Sequence, residues 1–388
     1  MPIKNRFAEM HAEITGWRHH LHQHPELQFD VHETAAFVQN KLAEFGVDDI
    51  TPGIGQTGVV GVISGKTNTS GRVIGLRADM DALPITEATG LEYASKSPGK
   101  MHACGHDGHT AMLLGAAKYL SETRNFDGTV VLIFQPAEEG GGGGREMVND
   151  GLMERWKIDE VYGLHNAPGV DVGQFQIRPG ALMASADEIF ITVTGRGGHA
   201  AAPHEAIDPN LAAAHVLIAL QSIASRNIDP LAHVVVSVCS LHSDNDATNV
   251  IPQSVRMGGT VRTLDEAVRA QVKDRIIALA TATAQAYGCT ADVAWVDGYP
   301  VTVNAAANTE YAADVARNVA GDVEDDTAPI MAAEDFSFML NERPGAYIFL
   351  GNGGGATVHH PEYNFNDEAI PAGCSWFAEM VETRMPAT

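Results

Sequence analysis

The chain has 388 residues, of which 45% are hydrophobic and 19% charged, a balance typical of a folded protein with two or three domains. Its 49 acidic residues outnumber its 25 lysines and arginines, and the formal net charge of -24 argues against binding to nucleic acid or to an anionic membrane surface. No apolar run approaches the roughly 20 residues of a membrane-spanning helix. The N-terminal residues lack the apolar core of a secretory signal, so we expect a cytoplasmic protein.

Short apolar runs alternate with helical patterns in the first half of the chain. Runs of this length, bounded by Gly, Pro or Asp, are typical of buried strands in a layered α/β sheet. They occupy residues 59–65, 72–78, 129–135 and 160–166, and a helical pattern, HTAMLLGAAKYL, lies between the second and the third. The sequence therefore predicts an α/β domain.

The pattern changes between residues 183 and 297. Apolar segments there predict a strand, a helix at 209–226, two strands, the second of them at 254–263, a long helix and a last strand. This β-α-β-β-α-β order is that of a ferredoxin-like domain. The run at 345–352 again resembles the strands of the first domain. We therefore predict a discontinuous larger domain, 1–182 and 298–388, and a separate inserted domain, 183–297.

Polar side chains follow four of the predicted strands. These residues are Asp79 with Asp81, Glu138 with Glu139, His165, and His359 with His360. Ligands bind at the carboxyl ends of strands in open α/β sheets, so we expect these side chains to meet. Cys104 and His106 precede a helical pattern nearby. A mixed set of sulfur, imidazole and carboxylate groups suits zinc or a similar divalent ion.

Each of these clusters also has a structural interpretation. A single histidine is often a core residue, a single cysteine a small buried hydrophobe, and a pair of glutamates part of a solvated helix. Here the glutamates lie between a predicted buried strand and the glycines Gly140–Gly144. A solvated helix is not expected there.

Nine segments resemble one known family. In chain order they are LHQHPEL, RADMDALP, MHACGHDGHTAMLLG, FQPAEEGGGG, GLHN, GRGGHAAAPHEAIDP, TNVIP, MAAEDFSF and HHPEYNFND, spanning about residues 18–367. They are similar to the M20 metallopeptidase and aminoacylase family, in its amidohydrolase branch of hippurate hydrolases and indole-acetyl-amino-acid hydrolases.

The resemblance implies a zinc-peptidase-like catalytic α/β domain that holds two divalent metal ions, with a ferredoxin-like lid domain through which subunits form a homodimer. The implied ligands are Cys104, His106, Glu139, His165 and His359. The branch pattern favours His359 over His360, and this alternative stays open. The implied general base is Glu138, which would take a proton from water and pass it to the leaving amine.

The resemblance also implies roles for residues outside this set. His199 would stabilise the oxyanion from the partner subunit, and Asn249 and Arg262 would bind substrate. For Arg262 the alternative is an arginine on a solvated strand. Asp81 would orient a metal-binding histidine, whereas RADMDALP gives no support for Asp79 as a ligand.

We therefore expect a metal-dependent amidohydrolase that cleaves N-acyl or N-aroyl amino acids to a carboxylic acid and a free amino acid. Zinc or manganese is the expected metal, with cobalt and nickel as alternatives. A dipeptidase or an N-acetyl-amino-acid deacetylase, for example of N-acetyl-diaminopimelate, would share the same motifs. The alternative from a different class is a non-catalytic protein that binds N-acyl amino acids.

Overall fold

A computed structural model describes residues 5–387. They form two compact units. Unit 1 comprises the residues up to Leu182, Val303–Ala328 and Asp335 onward, and unit 2 comprises Met183–Thr302 with Pro329–Glu334. None of the helices in this part of the chain combines the length and the apolar character needed to cross a bilayer.

The chain alternates helices and strands before it enters unit 2. In order these elements are α1 Asn5–Gln23, α2 His32–Glu44, β1 Asp49–Ile54, β2 Gly58–Ser64, β3 Val73–Asp79, α3 His106–Thr123, β4 Thr129–Gln135, α4 Gly143–Asn149, α5 Leu152–Arg155, β5 Glu160–Pro168, β6 Phe175–Gln176 and β7 Gly180–Met183.

Unit 2 contains the next eight elements. They are β8 Ala186–Thr194, β9 Gly198–His199, α6 Pro209–Leu220, β10 Val234–Ser243, β11 Val250–Ile251, β12 Ser254–Thr263, α7 Glu266–Ala286 and β13 Thr290–Tyr299. The remaining elements are β14 Thr302–Asn304, α8 Ala306–Ala320, β15 Val323–Glu324, α9 Ser337–Glu342, β16 Gly345–Gly353 and α10 Ile370–Arg384.

Unit 1 is built on an eight-stranded sheet in the order β1-β2-β4-β3-β5-β16-β6-β15. The four adjacent strands β4, β3, β5 and β16 run parallel to one another. Their residues are almost all buried, because parallel strands are covered by helices on both faces. Strand β16 therefore joins the same sheet as the strands that precede unit 2 in the chain. This mixed α/β architecture confirms the predicted fold class.

Helix α3 has few exposed positions, because it packs against β3 on one side and against α1 and α10 on the other. It is apolar around most of its circumference, as expected for a helix inside a layered domain. Gly115 makes the close contact possible: a Cβ there would lie 2.7 Å from both Cys374 Sγ and Ile14 Cδ1.

Unit 2 has a four-stranded antiparallel sheet in the order β10-β12-β8-β13. Strand β8 alternates buried and more exposed residues, a pattern typical of a sheet with one covered face. The buried face packs with α6 and α7. The two helices and four long strands follow in the order β-α-β-β-α-β.

The division into units differs from the predicted domains at two short segments. Residues 298–302 and Pro329–Glu334 belong to unit 2, although the sequence placed them in the larger domain. Strand β13 continues to Tyr299, and the Ala184 N–H donates to the carbonyls of Ile330 and Ala332, at 3.1 and 2.8 Å. These nonlocal hydrogen bonds leave no signal in the local sequence pattern.

Candidate metal centre

The polar residues that follow the parallel strands of unit 1 meet at one edge of the sheet. Asp79 ends β3, Glu138 and Glu139 lie in the turn after β4, His165 lies near the end of β5, and His359 follows β16. Because these four strands are parallel neighbours, their carboxyl ends share that edge. Helix α3 begins at His106 and brings Cys104 to the same place.

Several groups of side chains there have the spacing of metal ligands, and three of them combine the predicted ligands and Glu138. They are Cys104 with His106 and His165, Cys104 with Glu139 and His359, and His106 with Glu138 and Glu139, and within each group the ligand atoms lie within 4.8 Å of one another. Cys104 Sγ lies 3.3 Å from His165 Nε2, and His359 Nε2 lies 3.1 Å from Glu139 Oε1. Cys104 belongs to two of these groups, which together contain all five predicted ligands.

The rings of His106 and His165 are oriented by backbone carbonyls. His106 Nδ1–H donates to the Asp81 carbonyl at 2.8 Å, and His165 Nδ1–H donates to the Asn166 carbonyl at 2.7 Å. Each ring therefore directs its Nε2 lone pair into the cluster, which is the arrangement that metal-binding histidines need. Burial lowers the pKa of His165 to about 3, so its imidazole is neutral and available as a ligand.

Two buried atoms of the cluster fit a bound cation. Among the described residues, His106 Nε2 has no hydrogen-bond partner, and Glu139 Oε1 has the His359 ring as an ion-pair partner, at 3.1 Å, but no hydrogen bond of good geometry. Buried polar atoms are almost always satisfied, so the unsatisfied His106 Nε2 beside a buried carboxylate indicates a missing partner. Thiol, imidazole and carboxylate groups together are a suitable donor set for zinc and related divalent metals. The residues present therefore fit a metal centre.

Asp81 holds the turn that carries the two glutamates. Its carboxylate is buried and accepts the backbone N–H groups of Glu138, at 2.9 Å, and Glu139, at 3.1 Å. Ala137, just before them, has a left-handed φ of 53°, a conformation that is costly for a residue with a side chain. The Asp81 backbone carbonyl accepts from His106 Nδ1–H, while its carboxylate fixes the glutamate turn. The predicted role of Asp81 in orienting a metal-binding histidine stays a prediction.

His359 and His360 have different surroundings. His359 adopts a left-handed φ of 65°, its N–H donates to the Ala103 carbonyl at 2.7 Å, and its ring reaches Glu139. Hydrogen bonds that its ring donates to the Cys104 and Glu139 side chains raise the pKa of His359 to about 10. His360 Nδ1 instead accepts the Glu362 N–H at 3.1 Å, so its ring is used within its own turn.

A buried network under the cluster was not predicted from the sequence. The Arg77 guanidinium donates to Asp79 at 2.6 Å and to Asp335 at 3.1 Å. The other Asp79 oxygen accepts from His109 Nδ1–H at 2.6 Å, and His109 Nε2 accepts the Asn166 N–H at 3.0 Å.

These contacts also decide which buried groups are available to a metal. Asp79 and His109 are engaged in them, although their spacing with His106 is also that of metal ligands. The sequence signal for this network was the presence of charged residues in apolar contexts, RADMD and AEDF, and of a second histidine in HDGH.

The other predicted site residues lie in unit 2. His199, on β9, is opposite Val250 of β11, and the next residue, Ala200, donates its N–H to the Asn249 carbonyl at 3.0 Å, so His199 and Asn249 are neighbours. Both are exposed. Arg262, on β12, is half-buried, and its guanidinium makes no hydrogen bond or ion pair with the residues 5–387. Their predicted roles toward substrate stay predictions.

Comparison with known proteins identifies the family. The model of Peptidase family M20/M25/M40 matches residues 75–383. The chain belongs to this family. It is 43% identical to hippurate hydrolase of Campylobacter jejuni, with 98% of each chain covered. It is also 43% identical to N-acetyl-L-cysteine deacetylase of Bacillus subtilis, with 94% of this chain and 86% of the relative covered.

A solved structure of an M20 family member is also similar to this chain. The chain superimposes with a TM-score of 0.85, at 33% identity, on a dinuclear metal-binding peptidase of the M20 family from Bacillus subtilis, covering 98% of this chain and all of the other. The family predicted from the sequence motifs is thus confirmed. These relatives also support the predicted class, a metal-dependent hydrolase of amide bonds.

Proposed function

We propose that the protein is a metal-dependent amidohydrolase that cleaves N-acyl or N-aroyl amino acids, with the metal centre at the carboxyl edge of the unit 1 sheet. The observation that carries this proposal is the convergence of five ligand-type side chains around one acidic turn. They are Cys104, His106, Glu139, His165 and His359. The named activities of two relatives, on hippurate and on N-acetyl-L-cysteine, supply the substrate class.

The two adjacent glutamates would have different tasks. Glu139 is placed to hold metal, because it lies within ligand distance of both His359 and Cys104. Glu138 is the general base: it takes a proton from the attacking water and donates it to the nitrogen of the leaving amine. Its carboxylate is buried, with Oε2 4.0 Å from His106 Nε2. When bound, two divalent ions would supply Lewis-acid activation of water and of the amide carbonyl.

The remaining steps belong to unit 2 in this proposal. His199 donates to the oxyanion that forms as the carbonyl is attacked, and it does so from the partner subunit of a homodimer formed through unit 2. The Arg262 guanidinium, which makes no close ion pair among the described residues, suits the free carboxylate of the amino acid product. Asn249, beside His199, would bind the same substrate.

The experiment that tests the function is amine release from a substrate panel. The protein, loaded in turn with zinc and with manganese, is incubated with N-benzoyl, N-acetyl and indole-acetyl amino acids and with simple dipeptides. We expect turnover of at least one acyl class with either metal. Turnover of dipeptides alone would assign a dipeptidase instead. Tight binding of N-acyl amino acids without amine release would assign a binding protein.

A further inference from the structure

Asn166 joins two of the proposed metal ligands. It follows His165 on β5, is 2% exposed, and all four of its polar groups have partners. Its N–H donates to His109 Nε2 at 3.0 Å, its carbonyl accepts from His165 Nδ1 at 2.7 Å, its amide Nδ2 donates to the Cys104 carbonyl at 2.9 Å, and its Oδ1 accepts from the Tyr363 hydroxyl at 2.7 Å.

We propose that Asn166 is a positioning residue that sets the separation between Cys104 and His165, and so the affinity of the metal ion they share. This inference rests on the proposed function, in which both residues are ligands. The Asn166 carbonyl fixes the ring orientation of His165, and the Asn166 amide fixes the peptide group of Cys104. The result is the observed distance of 3.3 Å between Cys104 Sγ and His165 Nε2.

The turn after Cys104 is shaped around the Asn166 amide. Gly105 has a φ of 96°, and a Cβ on it would lie 2.0 Å from Asn166 Oδ1 and 2.7 Å from the Tyr363 hydroxyl. Glycine is therefore required both by the backbone conformation and by the space that the amide fills. Because this turn opens α3, it leads directly from Cys104 to His106.

The backbone N–H of Asn166 is itself held by a buried hydrogen-bond network that includes His109, Asp79 and Arg77. The ring that accepts its N–H, His109, donates to Asp79 at 2.6 Å, and Asp79 is paired with the buried Arg77 at 2.6 Å. Both members of this buried ion pair lie on β3, and the pair is a rigid support because breaking it would leave an unpaired charge. Through its hydrogen bonds, Asn166 thus connects this buried network to the ring of His165 and to the backbone carbonyl of Cys104.

The inference is tested with the full chain by metal affinity and by a spectroscopic signal from the thiolate. Zinc affinity is measured by competition with a chromogenic chelator, and the Co²⁺-loaded protein is examined for thiolate-to-cobalt charge-transfer absorption. We expect Asn166→Ala to weaken zinc binding roughly 10- to 100-fold, as is typical when a partner of a metal ligand is removed, and to change the charge-transfer band. Tyr363→Phe, which removes one hydrogen bond to the same amide, should weaken binding roughly threefold to tenfold.

The matched control is Asn308→Ala. Asn308 is another buried asparagine of unit 1, and its amide donates to Glu160 and Tyr162, which are not among the proposed ligands. Zinc affinity and the charge-transfer band should be unchanged in this variant, even where its stability falls. A merely structural role for Asn166 would make the two alanine variants alike.

Three outcomes would overturn the inference. If the wild-type protein shows the charge-transfer band, and Asn166→Ala has the same band and the same zinc affinity, the positioning role alone is overturned. If Asn166→Ala does not fold, Tyr363→Phe decides, and wild-type affinity in that variant would overturn the role. Absence of the charge-transfer band from the wild-type protein would remove Cys104 from the ligand set and would overturn the proposed centre together with this inference.

Discussion

At the scale of single residues, the two adjacent glutamates of the proposed metal centre share one backbone anchor, but their side chains have different neighbours. Asp81 binds both of their N–H groups, so the turn is fixed and the side chains can leave it in different directions. Glu139 reaches His359, whereas Glu138 stays near His106. One carboxylate can therefore bind metal while its neighbour moves a proton.

Replacement of Glu138 tests this division of labour. We expect Glu138→Gln to lower kcat about 10²- to 10⁴-fold, the usual contribution of a general base, and to leave the metal content unchanged. Glu139→Gln serves as the comparison and should lose metal. Amine release and elemental analysis of the purified proteins give both quantities. Near-normal turnover in Glu138→Gln would remove it from the base role.

The choice between the two adjacent histidines can be decided in the same way. We expect His359→Ala to lose metal affinity by a factor of about 10² or more, because it deletes a proposed ligand. His360→Ala should bind metal like the wild type, because the His360 ring accepts the Glu362 N–H within its own turn. Chelator competition on both variants measures this. A larger loss in His360→Ala than in His359→Ala would reverse the assignment.

At the scale of secondary-structure elements, α1 and α3 are joined by a buried polar contact. His22, near the end of α1, donates from Nδ1 to Asp107 in the first turn of α3 at 2.8 Å, and its Nε2 lies 3.3 Å from Glu87. Burial alone would lower the pKa of His22, but the hydrogen bonds to Asp107 and Glu87 raise it to about 9. The protonated ring therefore links the two helices at neutral pH.

This contact predicts a pH-dependent stability. The folded pKa of His22, about 9, lies above the unfolded value of about 6.5. The contribution is therefore complete below about pH 6.5 and is lost as the pH rises through about 9. We expect His22→Gln to lower the free energy of unfolding by about 1–3 kcal/mol at pH 6, and the difference from wild type to shrink by pH 10.

Urea unfolding at several pH values measures that difference. The control is His11→Gln, on the same helix, because His11 Nε2 bonds to the Asp367 carbonyl rather than to a carboxylate. A His22→Gln difference that stays constant from pH 6 to pH 10 would contradict the prediction.

The elements also show what the sequence could predict. The runs at 129–135 and 254–263 match β4 and β12 residue for residue, because long apolar or alternating strands leave a clear local pattern. The two-residue strands β6 and β15 are too short to show one. The predicted helix at 209–226 ends at Leu220 and is followed by a π-helical turn, Ile223–Asn227.

In the metal centre, too, the sequence predicts the features that have a local pattern and not those that depend on distant contacts. The polar clusters were recognised because each follows a predicted strand or precedes a helical pattern, and the resemblance of the motifs to the M20 family then selected the proposed ligands among them. The roles of Asn166, His109 and Arg77 were not found, since each depends on contacts with residues distant in the chain, such as Asn166–His109, 57 residues apart, and Arg77–Asp335, 258 residues apart. Motif spacing gives no information on such pairings.

At the scale of the whole molecule, the proposed assembly is a dimer in which each catalytic site uses His199 of the partner subunit. A heterodimer with two different affinity tags tests this arrangement. When one subunit carries Glu138→Gln and the other His199→Ala, one site of the two would have both intact groups. We expect roughly half of the wild-type activity for this purified heterodimer.

The control heterodimer pairs a wild-type subunit with one that carries both substitutions. If His199 acts across the dimer, neither of its sites is complete and activity should be negligible. Activity in the control and none in the first heterodimer would place His199 in its own subunit's site. An active pure monomer in a sedimentation experiment would refute the dimer itself.

The insertion of unit 2 between β5 and β16 has a consequence for biosynthesis. Cys104, His106, Glu139 and His165 leave the ribosome before unit 2, whereas His359 follows it. In the proposed centre, an ion held by Glu139 and His359 bridges chain positions separated by 359 − 139 = 220 residues. Bridging so distant positions removes much of the freedom of the unfolded chain. In this proposal the ion could be bound by both residues, and so stabilise the folded form of unit 1, only after nearly the whole chain has been synthesised.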